Sequence, residues 1–334
     1  MNLRNIFKVA IAATAVTLSG GAANALDKVK FGTNWLAQAN HGGYYQALAD
    51  GTYEKYGLDV EILQGGPQVN NRGMLPAGKL DFLMAGNLLI PFDATRNGIP
   101  TKIVAAHLQK DPQCIMAHEG VYDGWEDLTN APEILLAKDA QFSFWQWMIK
   151  SQGFREEQLR PYGFNLAAFL EDEAMVQQCY ATSEPVYAAR EGANPEVFLL
   201  ADYGWNTYST VIEARTEMIE NNPDIVQRFL DATAEGWYNF LYNDPTLGIE
   251  AIVAANPELT AESVTQTIGL LKELGLVDSG DALTMGIGAL SRERVESFYN
   301  MVVENGIVEE GAFDVSDAVD YSFVNKGVGL ELKP

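Results

Sequence analysis

Apolar and polar positions along this chain change period repeatedly. Residues 29–33 alternate apolar and polar, the two-residue period of a half-buried strand. Residues 43–55 place Tyr45, Leu48, Ala49 and Tyr53 at helical spacing, and Gly57 supplies the left-handed residue that ends such a helix. A strand follows at 58–63, then a short helix at 70–77 closed by Gly78. Next come a buried-type strand at 80–85, a helix at 88–97 and a strand at 101–107. The order βαβαβαβ predicts a parallel sheet with helices on its faces.

A second unit has the same rhythm. Strands are expected at 114–117, 133–138, 175–181 and 197–200. A helical turn at 125–128 and helices at 144–153 and 184–192 separate them. Residues 208–214, rich in β-formers (Thr210, Val211, Ile212), read as a strand that returns the chain to the first unit. Beyond it the period is helical at 223–242, 247–255, 261–274 and 292–305, with no internal repeat or long linker. The expected fold is α/β and two-lobed, each lobe a mainly parallel sheet flanked by helices. Lobe 1 takes 26–108 plus 209–334 and lobe 2 takes 109–208. Crossings near 108–112 and 203–208 make a hinge, and the cleft between lobes is the expected ligand site.

The N-terminus adds a compartment. Arg4 and Lys8 precede a short apolar run, and Ala23-Asn24-Ala25 has the small-x-small form of a cleavage site. Residues 1–25 therefore read as a signal peptide, and the mature chain is expected in the periplasm. The formal net charge is −23, and loss of Arg4 and Lys8 makes it −25. Nucleic acid is excluded as a partner on that balance, because phosphate binding draws on Lys and Arg. The two cysteines, Cys114 and Cys179, have the option of pairing in an oxidising compartment, but spacing alone leaves this open. His41, His107 and His118 have no metal-ligand spacing, so neither a metal nor a cofactor is expected.

Ligands of open α/β sheets bind outside the carboxyl ends of the strands. The segments there contain Asn34 and Trp35, then His41; Gly65 and Gly66; Asn87; and Glu184 with Tyr187 one turn on. Aromatic faces suit a flat ring, glycines admit close backbone approach, and a carboxylate suits an amino group or protonated nitrogen. Each residue also has a structural use. Trp35 and Tyr187 suit a core, His41 suits packing on a helix, and Gly65-Gly66 suit a turn. Asn87 suits an N-cap, and Glu184 beside Pro185 suits a helix start. Only Arg72 and Lys138 are basic near these strand ends, which argues against a small anion.

Asn34-Trp35, five residues, His41, an amphipathic helix, Tyr56-Gly57-Leu58-Asp59-Val60 and Gly78-Lys79-Leu80-Asp81-Phe82 together resemble the NMT1/THI5-type periplasmic solute-binding proteins. Gln177 through Pro185 resembles that family's acidic-proline element. The resemblance implies a type II-like binding-protein fold, stacking on Trp35, and polar contacts from His41 and Glu184. It also implies a thiamine-precursor aminopyrimidine as ligand and an ABC transporter permease as partner, with no enzymatic step; the protein is expected to be a monomer. Relatives binding nitrate, taurine or other sulfonates, and the fungal pyrimidine synthases, keep a different solute or a pyrimidine-metabolising enzyme as alternatives. Against the synthase reading, the matching stretch 201–208 lacks that branch's cysteines.

Overall fold

The computed structural model describes residues 25–66 and 69–334. The leader expected over 1–25 thus lies, Ala25 apart, outside the described residues, as do Pro67 and Gln68. The chain forms a two-lobed α/β fold with one five-stranded sheet in each lobe.

The first sheet holds β1 (Asp27–Gly32), β2 (Leu58–Leu63), β3 (Phe82–Asn87), β4 (Thr101–Leu108) and β10 (Ser209–Arg215). Its spatial order is β2-β1-β3-β10-β4. The second sheet holds β5 (Gln113–His118), β6 (Ile134–Leu136), β7 (Leu159–Pro161), β8 (Val176–Tyr180) and β9 (Pro195–Leu199). Its order is β7-β6-β8-β5-β9. The sheets are mixed. β10 pairs antiparallel with both β3 and β4, and β5 pairs antiparallel with both β8 and β9. In each sheet one strand runs against the other four. Both reversed strands follow a crossing between the lobes, so each begins at the cleft, where its antiparallel neighbours end, and runs away from it.

The first lobe's core sits between its sheet and the helix Pro223–Tyr242. Phe229 stacks on Phe82 with ring centroids 4.2 Å apart and on Tyr53 at 5.6 Å. The helix Gly42–Ala49 crosses Pro223–Tyr242 where neither backbone carries bulk. A Cβ on Gly43 would lie 2.2 Å from the Trp237 ring, and one on Gly236 would lie 2.4 Å from the Gly43 carbonyl. The helix expected over 43–55 is in fact two, Gly42–Ala49 and Thr52–Lys55. Between them Gly51 takes φ +80, a conformation that favours glycine. Asp50 Oδ1 accepts the Thr52 N–H at 2.9 Å, which re-starts the helix.

One cation ties both crossings to the C-terminal part of the chain. Arg294, on the helix Arg292–Glu304, donates to the carbonyls of Gln109, Asn206 (3.4 Å) and Thr207 (3.2 Å). Its guanidinium also lies 4.0 Å over the Tyr208 ring. Arg294→Ala is expected to cost on the order of 3 kcal/mol, since it strands carbonyls in a site with little water. Urea unfolding measures it; an unchanged midpoint would show that solvent takes the guanidinium's place.

Candidate functional site

A cavity of about 270 Å³ lies between the lobes. Asn34, Trp35, Gln38, His41 and Asn87 line it from the first lobe. Tyr162, Phe164, Gln178, Tyr180 and Glu184 line it from the second. Asp111 and Gln113 face it at the first crossing, and Ser209 and Thr210 at the second.

The loop after β1 is held from several sides. Thr33 Oγ1 donates to the Trp35 carbonyl at 2.7 Å and accepts from the Gly65 N–H at 3.1 Å. Asn71 Nδ2 donates to the Thr33 carbonyl at 2.9 Å. Gln64 Oε1 accepts the Ala37 N–H at 2.7 Å, and Asn256 Nδ2 donates to the Ala37 carbonyl at 2.9 Å. With its backbone fixed, the loop presents Trp35 at 44% exposure on the cavity wall. A large aromatic held open in this way is not a core residue.

His41 is 2% exposed, and burial lowers its pKa to about 3, so the ring is neutral at neutral pH. Its Nδ1 has no partner, and its Nε2 reaches only Gln38 Nε2 at 3.5 Å. A neutral imidazole on the cavity offers one donor and one acceptor. Glu184 opens the helix Glu184–Arg190. Its Oε2 accepts from the Tyr180 N–H at 2.9 Å and the Ser183 hydroxyl at 2.6 Å, and its Oε1 from the Tyr162 hydroxyl at 3.4 Å. A carboxylate has roughly four acceptor positions, so little of Glu184's capacity is left for a ligand. Asn87 lines the cavity while its Oδ1 accepts the Leu89 N–H at 3.0 Å, starting the next helix.

Gly65, Gly66 and Tyr187 lie outside this lining. A Cβ on Gly65 would meet the Thr33 carbonyl oxygen at 2.5 Å, so its bareness lets the second loop support the first. Gly66 sits against Leu36. Tyr187 borders a separate narrow crevice of about 40 Å³ shared with Asn40, Thr182 and Arg190. Beside it two hydrogen bonds bridge the lobes, Asn40 Nδ2 to Thr182 Oγ1 at 2.8 Å and Arg190 Nη2 to Gln266 Oε1 at 3.0 Å.

Sequence reasoning missed Tyr162, Phe164 and Asp111. The two aromatics follow β7, a three-residue strand ending in Pro161, too short to register as a strand. The strand-end rule points there once β7 is known. Phe164 is 70% exposed, takes φ +55, and has its ring 5.1 Å from that of Tyr162. Such a backbone in a bulky residue is uncommon and marks a position worth a functional reading. Asp111 is a single acid among 45 Asp and Glu residues, with no motif around it.

The charge of the lining is one-sided. Among the described residues that line the cavity there is no Arg or Lys. Arg72 is engaged elsewhere, paired with the buried Glu213 and donating to the Ile90 carbonyl at 3.2 Å. No group of three or more metal-ligating side chains occurs among the described residues, and no helix there is long and apolar enough to cross a membrane.

The chain is 24% identical over 231 residues to riboflavin-binding protein RibY of Chloroflexus aurantiacus, covering 65% of this chain and 64% of that protein. More than a third of that relative's length is thus left unmatched. The periplasmic aliphatic sulphonate binding protein SsuA from Escherichia coli has the same fold, with a TM-score of 0.65 at 14% identity over 88% of this chain and 92% of that one. The desulfurization enzyme DSZB also has it, with a TM-score of 0.58 at 13% identity over 91% and 99%. The fold alone therefore does not separate binding from catalysis. Residues 38–247 match the family model described as NMT1/THI5 like, and with well over half of its length so matched this chain belongs to that family.

Proposed function

We propose that this chain is the solute-binding component of an ABC importer, capturing a thiamine-precursor aminopyrimidine of the hydroxymethylpyrimidine or formylaminopyrimidine type. The observation that carries the reading is the inter-lobe cavity: aromatic rings, amides, a neutral histidine and two carboxylates, with no Arg or Lys among its described lining residues. At about 270 Å³ it lies at the small end of ligand pockets, which run roughly 300–1,000 Å³. A single substituted ring suits that space. An aminopyrimidine offers a π-face to Trp35 and N–H donors to an acceptor-rich wall. A sulfonate or nitrate would bring negative charge against Asp111 and Glu184 with no cation to offset it.

The mechanism is capture, lobe closure and delivery to a permease at the inner membrane, with no covalent step. The ligand touches both lobes at once only when they are closed, so it shifts the equilibrium to that form. The Cys114–Cys179 disulfide supports a periplasmic setting, since such bonds persist in oxidising compartments. A flavin is the second reading, favoured by the name of the Chloroflexus relative. Its fused rings need more room than the cavity offers in the form seen here.

Mass spectrometry of solute released from gently purified protein tests the ligand class; recovery of a sulfonate would overturn it. Trp35→Ala tests the platform. Aromatic stacking is worth about 1–3 kcal/mol per base, so affinity is expected to fall roughly five- to 150-fold. Because Trp35 is half-exposed, Tm should hardly move. Unchanged affinity in calorimetry would remove Trp35 from the site.

A further inference from the structure

We propose that Asp111 reads the ligand, its unshared carboxylate oxygen accepting an N–H of the bound ring at the hinge end of the cavity. The proposal rests on the reading of this cavity as the solute site and names the group that sets its preference for donors.

Asp111 lies in the first crossing, between β4 and β5, and lines the cavity while only 1% exposed. Its Oδ1 accepts the Gln113 N–H at 3.2 Å. Its Oδ2 is buried and has no partner. Two donors, the Ser209 hydroxyl and the Trp205 N–H, lie close enough to favour the ionised carboxyl, yet neither has the geometry of a hydrogen bond to that oxygen. The Ser209 hydroxyl donates instead to the Gly86 carbonyl at 2.5 Å, and the Trp205 N–H is itself without an acceptor. Buried polar atoms in folded proteins are paired in all but a few per cent of cases, so an orphan on a residue that lines a cavity marks a place for something that binds there.

The chemistry of that partner follows from the atom. An ionised carboxylate oxygen accepts and cannot donate, and out of water it needs a donor or a cation. Burial pushes the Asp111 pKa up to about 7, outweighing the opposite pull of the Gln113 N–H and of the Trp205 and Ser209 side chains. Glu184 on the opposite wall is different, because three protein groups already donate to it. Of the two carboxylates, Asp111 has the acceptor capacity to tell an amino ring from one without the amino group. Once ionised, this oxygen would meet an anionic ligand unfavourably.

The test is calorimetry with 4-amino-5-hydroxymethyl-2-methylpyrimidine and its counterpart lacking the 4-amino group. Asp111→Asn keeps the size of the side chain. The Gln113 N–H keeps the amide oxygen, so the NH₂ faces the cavity and opposes the ligand's donor. The wild type is expected to prefer the amino compound at least tenfold. Asp111→Asn should weaken the amino compound at least tenfold and the other less than threefold, with an unchanged circular dichroism spectrum. Equal losses for both, or none, would overturn the proposal. If the wild type ignores both pyrimidines, the reading of the site fails instead. Asp111 is then judged on the solute recovered from purified protein, for which Asp111→Asn must still cost tenfold; tighter binding by the variant would sink it.

Discussion

Asp111→Asn is expected to stabilise the ligand-free protein, by a margin that widens from pH 5 to pH 8. The folded pKa of Asp111 is raised from 3.8 to about 7, with desolvation by burial as the first cause. A carboxyl raised in the folded state contributes stability that is fully present below the unfolded value, where both states hold the proton. That contribution is lost as pH rises through the folded value. Asn has no proton to lose. The margin in favour of Asn should therefore grow by about 2–3 kcal/mol between pH 5 and pH 8, at 1.36 kcal/mol per unit. Other titrating groups are common to both proteins and cancel in the difference. Of those on the same cavity, His41 stays neutral over this range and burial keeps the Tyr180 hydroxyl protonated. Glu184 is the remaining charge on the cavity. Urea unfolding of both proteins at four pH values measures the margin, and a flat difference would show that water reaches the carboxyl. A residue that weakens the empty protein is held there by something other than stability, as at many binding sites.

Strong periods with clear terminators were legible from sequence. The strand Leu58–Leu63 and the helix Pro223–Tyr242 occupy the residues their patterns predict, because each begins and ends on its own punctuation. The return strand Ser209–Arg215 was legible from its β-branched run, but its reversed direction was not, since the pattern of one strand says nothing about its partners. Of the residues the strand-end rule named, Asn34, Trp35, His41, Asn87 and Glu184 line the cavity, and Gly65, Gly66 and Tyr187 do not. Gly42 and Gly43 lie directly after the candidate ligand loop, and in the fold they admit the rings of Phe240 and Trp237. Asp111 had no local signal at all. What marks it is an oxygen left without a partner, a property of the folded neighbourhood.

Replacing both Cys114 and Cys179 by Ala is expected to cost about 4 kcal/mol of stability. The sequence left the pairing open because spacing does not give a separation. The structure places the two residues directly opposite one another on antiparallel β5 and β8, with Cα atoms 4.8 Å apart, joined as a disulfide. The bond closes a loop with a sequence separation of 65. Holding that loop shut in the unfolded chain removes entropy worth about 4 kcal/mol on the chain-entropy estimate. Burial of both sulfurs in a core adds nothing that Ala would recover, so the loss is not offset in the folded state. A functional loss should accompany it. β5 and β8 carry Gln113, Gln178 and Tyr180 to the cavity, and Cys179 itself lines the wall. Their remaining ladder bonds keep the register, so the variant should fold and still bind, but with a looser wall and lower affinity. Urea unfolding with and without reductant measures the first effect, and the double variant should match the reduced wild type. Thiol counting under denaturing conditions checks the premise. Protein exported to the periplasm should show no free thiol before reduction and two after it. Two free thiols at the outset would remove the bond, and with it the expected loss.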